Sequence, residues 1–217
     1  MPKTRTAAAP RKGAAPRKTA AGPKAAAAPA PAPQTAPAKP RVATCSLAGC
    51  FGCHMSILDI DERILQLIEL VEFDKSPIDD LKRFTQRCAI GLVEGGCCNA
   101  ENVHVLQDFR KNCDILISVG ECAICGGIPA MRNTIPLREC LEEAYIAGPT
   151  VHNPSNRIPD DPEIPRLLNR VYPCHEIVKM DYYLQGCPPP ADAIWAALTA
   201  LLTNRPIQLP YELLKYD

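Results

Sequence analysis

From residue 41 onward the chain alternates between two hydrophobic rhythms. Short, nearly continuous apolar runs at residues 41–47, 88–95 and 113–120 suit parallel strands buried on both faces. Between them the apolar positions fall at helical spacing. Residues 56–71 carry Ile57, Leu58, Ile60, Leu65, Ile68, Leu70 and Val71 in this way, with Asp59, Asp61, Glu62 and Arg63 turned outward. Asn99 is a cap-type residue ahead of a helix over 99–110, and residues 137–147 read as another helix. A weak strand is expected at 71–76, a loop from Ser76-Pro77, and a long irregular connection over the Pro- and Asn-rich residues 148–173. The last strand, 176–183, runs into Gln185-Gly186-Cys187. Pro190 then opens a final helix with Ile194, Trp195, Leu198, Leu201 and Leu202 inward. Strand and helix alternate, which predicts an α/β fold: a doubly wound parallel sheet with helices on both faces.

Composition divides the chain in two. Residues 1–40 are almost all Ala, Pro, Lys, Arg, Gly and Thr, with no acid and no large apolar residue beyond the initial Met, so a disordered tail is expected there. Residues 41–217 are long enough for one domain with its own core. The neutral total hides an asymmetry. The tail takes eight Lys and Arg, leaving 16 basic against 24 acidic residues in the remainder. An acidic domain argues against a nucleic-acid binder. The tail lacks a continuous apolar stretch, an Arg-Arg pair and serine, which excludes secretory, twin-arginine and transit signals in turn. With no run of 18 apolar residues there is no membrane span, and a cytoplasmic location is expected.

Twelve cysteines in a reducing compartment then point to metal ligation rather than disulfides. Gly49-Cys50-Phe51-Gly52-Cys53 places two thiols three apart on a glycine-rich turn after the first strand. Cys122 follows the 113–120 strand, and Cys187 follows the last one within Gly186-Cys187-Pro188-Pro189. Ligands of doubly wound sheets collect beyond the carboxyl ends of the strands. Cys50, Cys53, Cys122 and Cys187 are therefore expected to hold one iron–sulfur cluster. Proline after the last ligand favours such a cluster, because Cys-Pro recurs in ferredoxin-type runs. A zinc four-thiolate site and a thioredoxin-like Cys50/Cys53 pair are the alternatives; the second leaves Cys122 and Cys187 without a role.

Other candidates read differently. Cys45, Cys88, Cys113 and Cys140 sit inside strand or helix patterns, as small core residues. Cys125 competes with Cys122, Cys97-Cys98 is a pair expected in a turn, and Cys174-His175 reads as structural. Glu94, at a strand end before Gly95-Gly96, is a candidate proton-handling or supporting carboxylate. Glu121 is expected at the surface. His54 is expected to face the cluster, a partner or solvent, and His104 to pack.

Taken together, Gly49-Cys50-Phe51-Gly52-Cys53-His54-Met55-Ser56, residues 58–63, Val93-Glu94-Gly95, Gly120-Glu121-Cys122-Ala123, residues 126–133 and Gly186-Cys187-Pro188-Pro189 resemble the small subunits of [NiFe]-hydrogenases, most of all the cytoplasmic NAD-reducing group. The resemblance spans residues 41–217. It implies a flavodoxin-like domain whose four cysteines bind a proximal [4Fe–4S] cluster. A large subunit would carry the Ni–Fe site and split hydrogen, leaving no catalytic side chain on this chain. Electrons would pass between that subunit and an NAD-binding diaphorase module. The expected form has a single cluster, without the twin-arginine leader and second cluster domain of periplasmic relatives. FMN is a further cofactor that a flavodoxin-like fold admits, although the cysteine turn occupies the loop where a flavodoxin holds phosphate. Gln185 departs from the proline that relatives often carry. Respiratory quinone oxidoreductases have a similar subunit ending in Cys-Pro-Pro, but with adjacent cysteines in the first loop, whereas Cys50 and Cys53 are two residues apart.

Overall fold

The computed structural model describes residues 39–214. The expectation of disorder over residues 1–40 thus lies, but for its last two residues, outside the described residues. In chain order the elements are β1 (Arg41–Ser46), α1 (Gly52–Leu58), α2 (Arg63–Leu70), β2 (Glu72–Phe73), β3 (Cys88–Glu94), β4 (Cys97–Asn99), α3 (Ala100–Asn112), β5 (Cys113–Val119) and α4 (Glu121–Cys125). They continue with α5 (Leu137–Glu142), β6 (Leu167–Tyr172), β7 (Tyr182–Leu184) and α6 (Ala191–Leu202). Five strands form one parallel sheet in the order β2-β1-β3-β5-β7. This is the strand order of flavodoxin-like folds, with the switch point between β1 and β3.

The strand runs form as they do because both their faces are covered. Val42, Ile90, Leu92, Ile117 and Val119 point to one side, where they meet Ile57 and Ile60, Leu67 of α2, and Ile194 and Leu198 of α6. Ala43, Cys45, Val93 and Leu116 point to the other and meet Leu106 and Phe109 of α3. Cys45, Cys88 and Cys113 are buried, as expected. Trp195, Leu201 and Leu202 pack against the first core from its margin. Asn99 caps α3 by accepting the Asn102 N–H at 2.8 Å.

Several expectations are corrected. The helix expected over 56–71 starts earlier, at Gly52, and is broken in two. Asp61 adopts a left-handed φ of 54°, which no helix continues through. Leu65, Ile68 and Leu70, expected to face inward, are exposed, and the buried residue of α2 is Leu67, which the expected stripe does not include. The strand expected at 71–76 is two residues long, and the one at 176–183 is three. Residues 174–176 form a 3-10 turn instead, and the chain regains the sheet at Asp181, whose N–H donates to Leu116 O at 2.9 Å. The turn expected at Cys97-Cys98 and part of the irregular 148–173 connection pair as an antiparallel ribbon, β4 with β6. His104 is exposed rather than packed, and Cys140 is only partly buried.

Candidate metal centre

The carboxyl ends of β1, β3, β5 and β7 converge on one small cavity of about 50 Å³. Its lining holds Cys50, Cys53, Cys122 and Cys187 together with Glu94, Glu121 and Phe51. All four thiols selected from the sequence thus line the same cavity, although among the described residues no group of three or more His, Cys, Asp or Glu side chains stands in metal-binding geometry. Cys125 is outside the lining and exposed, with its Sγ 3.2 Å from Glu121 O within its own helix. Cys97 and Cys174 are buried in the core beneath, where Cys174 Sγ donates to Gly95 O at 3.4 Å.

Each thiol has a local reason for its place. After β1, Leu47 N–H donates to Glu94 O and Ala48 pairs with Gly96 in both directions at 2.8 and 3.0 Å, so the loop lies against the end of β3. Phe51 takes a left-handed φ of 67°, turning the chain so that α1 begins at Gly52 and carries Cys53 on its first turn. On the β5 side, Gly120 (φ +82°) is required twice: its backbone conformation disfavours other residues, and an added Cβ would collide with Cys53 Sγ. Gly127 (φ +50°) gives the same room to Cys122, whose Sγ would be 2.9 Å from an added Cβ. The Cys187 turn is tied to both neighbours. Glu121 N–H donates to Gly186 O at 3.1 Å, Gly186 N–H to Glu121 Oε1 at 3.3 Å, and Ser56 Oγ to Pro189 O at 2.5 Å.

Glu94 anchors the first cysteine loop from below. It is 3% exposed; Ser46 Oγ donates to its Oε1 at 2.7 Å, and the His54 backbone N–H to its Oε2 at 2.7 Å. His54 Nδ1 lies 2.9 Å from the same Oε2, its Nε2 lies 3.0 Å from Thr44 Oγ1, and its ring stacks on Phe51 with centroids 4.6 Å apart. His54 is therefore buried beneath the loop, not turned to cluster, partner or solvent. Glu121 is also corrected: it is partly buried and bridges two cysteine turns. Ser46, Ser56 and Thr44 escaped sequence reasoning, because small hydroxyl residues in strand and helix patterns carry no spacing signal.

The electrostatics suit a cationic centre. Burial pushes the Cys53 thiol up to about 12, helped by the nearby Glu94 carboxylate and by Cys122, Cys50 and Cys187. Burial and the Cys187 neighbour raise Cys122 as well. Glu94 stays below the usual carboxylate range: burial opposes its charge, but the contacts from His54 and Ser46 outweigh that. Thiols raised this far stay protonated at neutral pH, so a metal centre that takes them as thiolates must displace their protons and supply the positive charge that offsets the mutual repulsion. Soft sulfur donors select iron–sulfur clusters or zinc over hard cations; of the four here, Cys50 and Cys187 are exposed and Cys53 and Cys122 half-buried.

Comparison with known proteins shows which family the chain resembles. The family model described as NADH ubiquinone oxidoreductase, 20 Kd subunit, matches residues 50–201. The delta subunit of the NAD-reducing hydrogenase HoxS of Cupriavidus necator is 52% identical over 180 residues, covering 82% of this chain and 86% of that subunit. A subunit of the F420-non-reducing hydrogenase of Methanothermobacter thermautotrophicus is 37% identical over 174 residues, 79% of this chain; the match spans only 56% of that longer relative. A crystal structure of an NAD+-reducing [NiFe]-hydrogenase in the H2-reduced state contains a chain that is 53% identical and superposes with a TM-score of 0.79. The match covers 82% of this chain and 99% of that one.

Proposed function

We infer, for a chain that belongs to the family of the NADH ubiquinone oxidoreductase 20 Kd subunit, that Cys50, Cys53, Cys122 and Cys187 hold one [4Fe–4S] cluster. The chain is the small subunit of an NAD-reducing [NiFe]-hydrogenase, an oxidoreductase. Residues 41–217 would act as an iron–sulfur domain. Bound there, the cluster supplies a one-electron store whose potential follows from its charge, burial and hydrogen bonds. The chain's own part is to fix four sulfurs from three strand ends around one cavity, with Glu94 and Glu121 bracing the loops that carry them. In this reading electrons pass between a Ni–Fe large subunit, where hydrogen is split, and a diaphorase module that reduces NAD, in the cytoplasm. Among the described residues no helix is long and apolar enough to cross a membrane.

The observation that carries the proposal is the convergence of the four thiols on one cavity. Iron and acid-labile sulfide, measured on anaerobically purified protein, test it. About four of each per chain are expected for a four-iron cluster. Cys50→Ser and Cys187→Ser should lose both, while Cys45→Ser and Cys125→Ser keep them. Zinc without sulfide overturns the assignment, and a flavin spectrum on an iron-free chain would favour FMN.

A further inference from the structure

Beside the β4–β6 ribbon lies an open groove of about 1190 Å³ that the cluster assignment leaves unused. One wall is the stripe Leu137, Leu141 and Tyr145, spaced four apart on α5 and the π-helical turn that prolongs it. The facing wall is the Pro-rich segment 158–167, with Ile158 and Ile164 inward. An amphipathic helix is ordinarily held by burying such a stripe against its own core. This stripe packs into neither core, and Tyr145 and Ile164 are 45% and 52% exposed.

The walls are nonetheless fixed. Asn153 Nδ2 donates to Tyr145 O and Arg157 O at 2.7 and 2.8 Å. Ala100 N–H donates to Arg166 O at 2.9 Å, and Arg132 reaches Leu168 O and Asn169 O at 2.8 and 3.1 Å. A groove with fixed walls that joins an aliphatic stripe to a row of carboxylates and is left open is a surface prepared for an occupant of matching chemistry. Its volume exceeds the roughly 300–1,000 Å³ of small-molecule pockets, which favours a polypeptide. The lining's charge is one-sided: Glu101, Asp160, Asp161 and Glu163 stand against Arg166. A second copy of this acidic domain would set carboxylate against carboxylate.

We propose that this groove receives a segment of another subunit of the hydrogenase complex, one carrying Lys or Arg together with aliphatic side chains. The proposal rests on the reading of the chain as one subunit of such a complex. The test places a photoreactive group in the groove, as Tyr145→p-benzoylphenylalanine, in the whole purified complex, with irradiation followed by peptide mapping. A cross-link to a basic, aliphatic segment of a non-identical subunit is expected. A cross-link to a second copy or to an acidic segment, or none from an intact complex, overturns the proposal. The paired substitution Asp160→Lys and Asp161→Lys, on an exposed loop, should weaken assembly about tenfold at low salt and less at high salt. Unchanged assembly at both salts overturns it too. Iron and sulfide on the same samples read the cluster assignment separately, so a loaded chain that yields no cross-link sinks the groove alone.

Discussion

Truncating Glu94 to Ala removes the acceptor beneath the first cysteine loop. The Ser46 hydroxyl and the His54 backbone N–H, each 2.7 Å from a carboxylate oxygen, then lose their partner in a buried place. A hydrogen bond to a charged group contributes about 1.5–3 kcal/mol, and two such bonds on one side chain add incompletely, so a loss of about 3–5 kcal/mol is expected. For a domain of this size that lowers Tm by about 6–20 °C. Glu94→Gln keeps one carbonyl acceptor and should cost about half as much. Anaerobic thermal unfolding followed by near-ultraviolet circular dichroism measures both, with iron per chain determined alongside. If Glu94→Ala unfolds within about 1 kcal/mol of the parent, Glu94 does not anchor the loop and the account is wrong.

Gly120→Ala forces a side chain into a positive φ and onto Cys53 Sγ; it should lower iron content sharply, and full iron in Gly120→Ala refutes the crowding argument. Asn99→Ala removes the acceptor that caps α3 and should cost about 1 kcal/mol by denaturant titration, with cluster content unaffected. Asp181 has its pKa held below the usual range: burial opposes the charge, but the Arg110 guanidinium at 2.6 Å and the Leu116 N–H at 2.9 Å outweigh it. A carboxyl with a folded pKa below its unfolded one adds stability above the unfolded value and loses it as pH falls through the folded value. Stability should therefore drop below about pH 4, less steeply in Asp181→Asn, and superimposable pH profiles would refute this.

What the sequence made legible was whatever its periodicity or spacing had to obey. The β3 and β5 runs are nearly continuous in apolar residues, with Glu94, Asp114 and Ser118 the exceptions, because helices cover both faces, so they read as buried strands, with no more than a residue's difference at their ends. The four cysteines were legible for a different reason: Cys50 and Cys53 follow β1, Cys122 follows β5 and Cys187 follows β7, and a parallel sheet carries these three strand ends to one edge. Illegible were elements that tertiary contact alone creates. The β4–β6 ribbon rests on three residues, Cys97, Cys98 and Asn99, too few to show a period, and its partner strand is mostly exposed. His54 stands next to a thiol ligand in sequence, yet helix geometry turns its ring downward onto Glu94, forty residues away. The exposed Leu65, Ile68 and Leu70 failed as core residues, and the Leu137–Tyr145 stripe likewise joins neither core. Helical spacing announces a face that must be covered, and in a chain built to sit among other subunits the cover need not come from the chain itself.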